Sequence, residues 1–206
     1  MSPRIPDRRP LPPEFYARDT ERVARGLLGC VLTTRRRGVV TAGRIVEVEA
    51  YVGPHDPAAH GFGNRRTVRN ARLFGPPGTA YVYFIYGMHW CFNTVTEAAG
   101  YPAAVLVRAL EPLDGLAAMR RRRGTRDDRL LCAGPARLCQ ALGITGTLNG
   151  APLDGPRVTI QPPTRQTARP PSIVTSPRIG ITRAADWPLR FVLAGSPWTS
   201  RPGPAA

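Results

Sequence analysis

The aromatic segment YVYFIYGMHW, broken by a single glycine, constrains the fold of this chain more than any other stretch. Strand side chains alternate between the two faces of a sheet, so Tyr81, Tyr83 and Ile85 would share one face. Tyrosine favours strands, and burial alone could explain part of this pattern. A tyrosine directly before a turn glycine is different, because its side chain would lie in the open. The segment therefore predicts a β-hairpin that turns at Gly87, with Tyr86 exposed at its tip.

Patterns elsewhere in the chain predict several more strands and a few helices. The other predicted strands are CVLTTRRRGVVTAGRIVEVEAYVG, with a turn near 35–38, then CFNTVT, AAVLVRALEP, PRIGIT and LRFVLAG. The predicted helices are RDTERVARGLLG, LDGLAAMRRRR and GPARLCQALGI. Residues 53–78 are interpreted as a long loop, and residues 145–177 carry little pattern.

These elements predict an α+β fold. We expect a single domain on a curved, mainly antiparallel β-sheet, with surrounding helices and a protruding β-hairpin. The chain has 206 residues, which is enough for one substantial core. The expected organisation is a flexible Pro/Arg-rich arm at residues 1–13, one domain at 14–200 and a tail at 201–206.

The charge of the chain indicates a polyanionic partner. Its formal net charge is +15, its pI is about 11.2, and all 29 basic residues are arginine. Nucleic acid is the simplest partner for a protein this basic. Because the chain has no lysine, catalysis through a lysine Schiff base is excluded.

Other classes of protein and site find little support in the sequence. No run of eighteen apolar residues occurs, so we expect no membrane span. The N-terminal residues do not resemble a secretory signal, which favours a cytoplasmic location. The four cysteines form no C-x2-C pair and the three histidines are spread apart, so we expect reduced core thiols and no metal site.

A pair of glutamates in RIVEVEAYVG is the main catalytic candidate. On a strand, Glu47 and Glu49 point the same way, and an ordinary solvated face is one explanation. Arg108, in the apolar segment VLVRALEP, weakens that explanation, since a buried guanidinium requires an anion. A glutamate paired with an arginine inside a cleft is held ionised and oriented, which is the state of a general base acting on water.

The basic loop and the hairpin supply candidate nucleic-acid contacts. HDPAAH carries His55 and His60, which could be structural or could hydrogen-bond to a base edge. Asn93 lies just past the hairpin turn and could either cap a turn or contact a base. Arg65 and Arg69 belong to an arginine cluster in the loop, so we expect them to bind DNA phosphates.

Together these features make the sequence recognisable: it resembles the 3-methyladenine DNA glycosylases of the alkyladenine type. The motifs that carry the resemblance are GRIVEVEAYVGPHDPAAH, GTAYVYFIYGMHWCFN, VLVRALEPLDGL, LCAGPARLCQALGI and PLRFVLAGSPW. They occur in the family's order and cover nearly the whole chain after about residue 20. The resemblance implies an enzyme that flips an alkylated purine out of duplex DNA and hydrolyses its N-glycosidic bond, leaving an abasic site.

The resemblance also implies roles for individual residues. Glu49 matches the general base, Arg108 matches the residue that orients the base and its water, and the Ile179 carbonyl matches a group holding that water. The positions that match the base pocket are Tyr51 and Tyr83 on the faces, His60 near an edge, and Asn93, which obstructs the exocyclic amine of normal guanine. The positions that match the DNA-facing hairpin are Tyr86 as the intercalating wedge, Met88 and His89.

Two departures from the family pattern are visible. The family often has an aromatic residue at the position of His89, and the loop at 120–131 is short for the family. The implied partner remains double-stranded DNA containing damaged purines, bound by a monomer without a cofactor.

Two alternatives stay open at the level of sequence. The chain could be a basic nucleic-acid-binding protein that performs no reaction, with Glu49 and Arg108 forming a structural pair. It could also be a hydrolase with Glu47 and Glu49 as paired carboxylates, although neighbours on one strand face lie too close together for two-sided attack.

Overall fold

The computed structural model describes residues 9–163 and 172–201. Within them, the strands are β1 (Val31–Arg36), β2 (Val39–Tyr51), β3 (Ala80–Ile85), β4 (His89–Thr96), β5 (Ala103–Asp114), β6 (Val158–Gln161), β7 (Ile173–Ser176) and β8 (Arg190–Leu193). The α-helices of the same residues are α1 (Pro13–Tyr16), α2 (Thr20–Leu27), α3 (Leu116–Arg123) and α4 (Pro135–Leu142). No helix among these residues is long and apolar enough to cross a bilayer.

The strands form one curled antiparallel sheet. Their order is β3-β4-β5-β2-β1-β6, and β8 pairs with both β2 and β7. Each pairing between these strands is antiparallel. The predicted α+β fold, with its curved sheet and protruding hairpin, is confirmed.

The long strand β2 changes partner midway, and this change shapes the site. Residues 39–44 pair with β1, whereas Glu47 and Glu49 pair with β8 on the same side. Along the opposite edge, the pairing with β5 shifts register on both sides of Glu47. A bulge of this kind bends a strand and re-aims its side chains. The two glutamates therefore lie where β5, β2 and β8 meet.

Helices cover one face of the sheet. Val23 and Leu27 of α2 and Leu138 and Leu142 of α4 are fully buried in the same apolar cluster as Val107 of β5. Burial of apolar surface contributes about 25 cal/mol per Å², so this cluster is the main source of stability. The loop at 53–78 covers the opposite face of β3, β4 and β5.

Side-chain hydrogen bonds order that loop. The Asn70 side chain donates to the carbonyls of His60 (2.7 Å) and Arg65 (2.9 Å) and accepts from the Thr67 N–H (2.7 Å). Leu73, from the end of the loop, packs on the sheet in a second small apolar cluster. The loop is thereby fixed against the sheet as a wall.

The aromatic hairpin forms as predicted. Strands β3 and β4 pair from Ala80 opposite Thr94 to Ile85 opposite His89. Tyr86 and Gly87 at the turn have φ values of 53° and 67°, respectively. Positive φ at both central residues is the pattern of a type I′ turn, which matches the twist of the flanking strands.

The prediction of a strand at PRIGIT is wrong. Residues 177–182 form no strand, and the strand of this region is β7, just before them. The physical reason is that Arg178 is buried in an ion pair and the Ile179 N–H is bound to a side chain, so this backbone leaves the ladder. Strands β6 and β7 both fall in the stretch 145–177 that carried little pattern.

The ends of the chain lie partly within the described residues. Leu11 is buried and its N–H donates to the Ile160 carbonyl at 2.8 Å, so this part of the predicted arm lies against β6. Residues 1–8 of the arm, 164–171 of the weakly patterned stretch and 202–206 of the tail lie outside the described residues. The predicted domain bounds stay a prediction.

Candidate active site

A cavity of about 330 Å³ lies between the 53–78 loop, the inner side of the hairpin and the segment after β7. This volume falls at the lower end of the range for small-molecule pockets, roughly 300–1,000 Å³. The predicted site residues that line the cavity are Tyr51, His60, Tyr83, Tyr86, His89, Asn93, Arg108 and Ile179. Residues far apart in sequence thus converge on one pocket.

Glu49 lies fully buried directly beneath the cavity wall. Its Oε1 accepts a hydrogen bond from the Ile179 N–H at 2.7 Å. Its Oε2 accepts one from the Tyr51 hydroxyl at 3.1 Å and forms an ion pair with Arg108 Nη1 at 3.2 Å. All three partners line the cavity, so the carboxylate is held against the cavity floor.

Arg108 bridges two carboxylates. Its Nη1 contacts Glu49, and its Nε donates to Glu47 Oε1 at 3.2 Å. The same Nη1 also donates to the Ile179 carbonyl at 3.5 Å. The backbone of Ile179 therefore contacts both members of the predicted catalytic pair.

Burial dominates the acid–base behaviour of Glu49. It raises the pKa of the carboxyl above the ordinary 4.5, and the negative charge of Glu47 adds to that rise. Arg108, the Ile179 N–H and the Tyr51 hydroxyl oppose it by stabilising the carboxylate. A buried glutamate with a raised pKa is a stronger base than an exposed one, which suits proton transfer from water.

The two glutamates differ in the donors that hold them. Two carboxylate oxygens offer about four lone-pair positions. Glu49 receives three donors, whereas Glu47 receives four, from Arg108, from Arg190 and twice from Ser200. All three donors to Glu49 line the cavity, whereas Arg190 and Ser200 hold Glu47 on the side away from it, so the paired-carboxylate alternative loses its second carboxylate.

Aromatic rings form the walls of the cavity. The rings of His60 and Tyr83 lie 4.5 Å apart at an angle of 64°, and those of Tyr81 and Tyr83 lie 5.4 Å apart. Burial raises the pKa values of Tyr51 and Tyr83, so both hydroxyls stay neutral. The walls therefore offer neutral, electron-rich rings to a planar ligand.

His60 is fixed by a neighbour on β3. Its Nδ1 lies 2.8 Å from the Tyr81 hydroxyl. Burial and the positive charge of Arg69 lower the pKa of His60 below 6.5, so its ring is neutral at pH 7. The ring can therefore exchange hydrogen bonds with a base edge without adding a cation to the pocket.

Asn93 forms part of the cavity wall on β4. It pairs with Tyr81 across the hairpin, and its Nδ2 donates to the Tyr81 carbonyl at 3.0 Å. The side chain is buried, with 3% of the residue exposed. The Asn93 side chain is thus held in a fixed orientation in the cavity wall.

The hairpin tip projects away from the core. Tyr86 and Met88 are 79% and 68% exposed, although large apolar side chains usually avoid water. His89 is exposed as well and lines the cavity mouth. Arg69 donates to the Phe84 carbonyl at 2.9 Å, which ties the loop to the hairpin, and Arg65 is exposed in the same loop.

Comparison with known proteins places this arrangement in a family. The family model described as methylpurine-DNA glycosylase matches residues 14–197. The chain belongs to the methylpurine-DNA glycosylase family.

Relatives in several microorganisms are similar over nearly their whole length. A Methanoculleus marisnigri protein is 55% identical over 93% of this chain and 98% of its own. A Rhodopseudomonas palustris protein is 53% identical over 91% of this chain and 89% of its own. A Nitrosospira multiformis protein is 52% identical over 87% of this chain and 88% of its own. Each of the three is named, provisionally, as a 3-methyladenine DNA glycosylase.

Sequence reasoning missed a buried ion pair behind the pocket. Arg178 Nη1 and Nη2 lie 2.5 and 2.8 Å from the two carboxylate oxygens of Asp56, and both side chains are fully buried. The Arg178 guanidinium also lies 4.7 Å from the centre of the Tyr51 ring. The reasoning applied to Arg108, that a buried arginine requires an anion, could have found this pair.

The described part of this family member contains no group of three His, Cys, Asp or Glu side chains that could hold a metal ion. Its four cysteines are free and buried. Cys91 is the one among them that lines the cavity, opposite Tyr83 in the hairpin register.

Proposed function

We propose that this protein is a DNA glycosylase that removes alkylated purines of the 3-methyladenine type and leaves an abasic site. The observation that carries the proposal is the position of Glu49, which lies under an aromatic cavity beside an exposed tyrosine. Membership of the methylpurine-DNA glycosylase family and the names of the relatives support the same reaction.

Hydrolysis needs one activated water. A water bound to Glu49, near the Ile179 carbonyl, would attack C1′ of the deoxyribose while the carboxylate takes a proton from it. The N-glycosidic bond breaks and its electron pair leaves with the base, which neutralises the positive charge of the alkylated ring. Arg108 keeps the carboxylate ionised and oriented, and the negative charge also favours the oxocarbenium-like sugar.

The pocket suits a cationic base. Purines alkylated at N3 or N7 carry positive charge, and cations are attracted to the faces of aromatic rings. Tyr51 and Tyr83 would contact the two faces, with His60 at an edge. Asn93 would obstruct the exocyclic amine of normal guanine, so undamaged guanine would be rejected.

The exposed parts of the molecule suit the DNA. Tyr86 would fill the space left by the flipped base, with Met88 and His89 beside it on the duplex. Arg65 and Arg69 would bind phosphates. We propose that the protein acts as a monomer on chromosomal DNA in the cytoplasm and, having no lysine, leaves the DNA strand uncut.

The test is base release by Glu49→Gln. We expect single-turnover release from alkylated duplex DNA to fall at least a hundredfold, because the amide cannot take a proton from water. Binding to the lesion should persist, since Glu49 lies beneath the pocket wall. The matched control is Glu111→Gln, which changes a glutamate on β5 outside the cavity and should release base normally.

Two results would contradict the proposal. If Glu49→Gln releases base at a rate within a few-fold of the wild-type rate, Glu49 is not the general base. Binding of alkylated DNA without any base release by the wild-type protein would favour the non-catalytic alternative.

A further inference from the structure

Glu47 accepts four hydrogen bonds, although it does not line the cavity. Its Oε1 accepts from Arg108 Nε (3.2 Å), Arg190 Nε (2.8 Å) and the Ser200 hydroxyl (2.8 Å). Its Oε2 accepts from the Ser200 N–H at 2.6 Å. The residue is fully buried, so the mechanism proposed above leaves a buried charge without a function.

The position of Glu47 determines how Arg108 can lie. Arg108 uses its Nε on Glu47 and its Nη1 on Glu49, so the planar guanidinium is held by both carboxylates. A guanidinium bound through two of its nitrogens has little freedom to rotate. Loss of the Nε contact would free the end of Arg108 that orients Glu49.

The last described residues complete this arrangement. Ser200 donates twice to Glu47, and Arg190 Nη2 donates to the Arg201 carbonyl at 3.4 Å. Arg190 Nη1 also donates to the Ser176 hydroxyl at 3.0 Å. The segment after β8 is therefore fastened to the back of the site.

We propose that Glu47 is a positioning residue for base release, which acts through Arg108 on Glu49, and that Ser200 holds Glu47 in place. The inference rests on the proposed glycosylase function and deepens it. It extends the functional site to a C-terminal stretch that the sequence pattern did not single out.

The charge of Glu47 gives the proposal a readout of its own. Glu47 raises the pKa of Glu49, and so does burial. The other groups that face Glu49 are Arg108, the Ile179 N–H and the Tyr51 hydroxyl, which lower its pKa, and the Cys91 thiol. Replacing Glu47 by glutamine removes a negative charge, so the pKa of Glu49 should fall. The acidic limb of the rate profile should then move to lower pH, because Glu49 acts only when ionised.

The first experiment measures single-turnover base release by Glu47→Gln across pH, on DNA containing 7-methylguanine, whose ring stays cationic over the acidic range in which Glu49 titrates. We expect the plateau rate to fall about tenfold or more, because small misplacements of catalytic groups cause rate losses of this size. The acidic limb of the rate profile should lie at lower pH than that of the wild type. Glu111→Gln is the control, because Glu111 also pairs with an arginine of β2, Arg44, and should keep the wild-type rate and limb.

The second experiment covers the case in which Glu47→Gln does not fold. Ser200→Ala removes one hydroxyl donor to Glu47 near the end of the chain, and we expect a few-fold lower rate with unchanged affinity for DNA. Ser196→Ala is its control, since the Ser196 hydroxyl accepts from the Trp198 N–H within the same segment and has no contact with Glu47 among the described residues.

The outcomes separate the two proposals. The inference is overturned if Glu47→Gln keeps the wild-type plateau rate and acidic limb. It is also overturned if Ser200→Ala and Ser196→Ala release base at equal rates. In both cases the proposed function stands. Failure of both the wild type and Glu111→Gln to release base would overturn the proposed function and the inference with it.

Discussion

Tyr86 adopts a backbone conformation that tyrosine rarely adopts. Its φ is 53°, in the left-handed region, and the side chain is 79% exposed. Turns of this kind favour Asn-Gly, because asparagine tolerates positive φ far better than an aromatic residue does. The residue therefore opposes both the local backbone preference and the hydrophobic effect. Conflicts of this kind concentrate at functional sites. The exposed, unfavourable position of Tyr86 therefore supports its proposed role as the wedge.

This conflict predicts opposite effects of one substitution on stability and activity. Tyr86→Asn should stabilise the fold by about 1 kcal/mol, because the left-handed conformation no longer opposes the side chain. Base release from a paired lesion should fall roughly 5- to 150-fold, since base–aromatic stacking contributes about 1–3 kcal/mol. Thermal melting and single-turnover excision measure the two effects.

A comparison of substrates provides the control for Tyr86. The defect of Tyr86→Asn, and that of Tyr86→Ala, should shrink when the lesion lies opposite a mismatch, where flipping is already easier. Equal losses on paired and mispaired substrates, together with a large drop in melting temperature, would show that Tyr86 packs in the fold.

At the scale of elements, the site depends on two irregular segments fastened to a regular sheet. Asp56 belongs to the loop after β2, and Arg178 to the segment after β7. Their bidentate pair joins the two segments behind Tyr51, while Arg178 Nη1 also donates to the Ala50 carbonyl at 3.0 Å. The next residue, Ile179, then presents its N–H to Glu49. One ion pair thus fixes both a pocket wall and a hydrogen-bond donor to the Glu49 carboxylate.

Breaking this pair should strongly destabilise the protein. Asp56→Asn leaves the buried Arg178 without its anion, and removal of one partner of a buried pair costs about 3–5 kcal/mol. Chemical denaturation measures the change in the free energy of unfolding. Asp128→Asn is the control: it removes the partner of Arg120 in an exposed pair and should leave the unfolding midpoint nearly unchanged. Similar losses in both variants would show that Asp56 has no special structural role.

At the scale of the whole molecule, the excess of arginine provides the positive charge for binding DNA. The net charge of +15 is spread over a chain of 206 residues. Several arginines are bound within the fold, as Arg108, Arg178 and Arg190 are, so they do not serve the surface. Exposed arginines of the 53–78 loop lie beside the cavity mouth and the hairpin, where a duplex would dock.

Affinity for undamaged duplex DNA should therefore fall steeply with salt. Each phosphate contact releases counterions, and about six contacts would weaken binding roughly a thousandfold between 50 and 200 mM salt. Titrations over this range measure the slope, and the double variant Arg65→Gln/Arg69→Gln should reduce it by about two contacts. A flat titration would argue against nucleic acid as the partner.

Much of the fold could be predicted because its signals are local. The alternating pattern of the hairpin, the Gly87 turn and the apolar face of α2 each depend on neighbours in sequence. The short strands β6 and β7 could not be predicted, since four residues carry too little pattern. PRIGIT looked like a strand for the same reason, although its arginine is buried in an ion pair.

The sequence by itself determined the chemistry available to this protein: a glutamate and an arginine on neighbouring strands, tyrosines beside a turn, and an arginine-rich loop with no lysine. Tertiary structure alone decided that Glu49, and not Glu47, is held entirely by groups that line the cavity. The two glutamates are equivalent in the strand pattern, and the donors that most distinguish them arrive from Ile179 on Glu49 and from Arg190 and Ser200 on Glu47. Those donors lie more than a hundred residues away along the chain, and only folding brings them to β2.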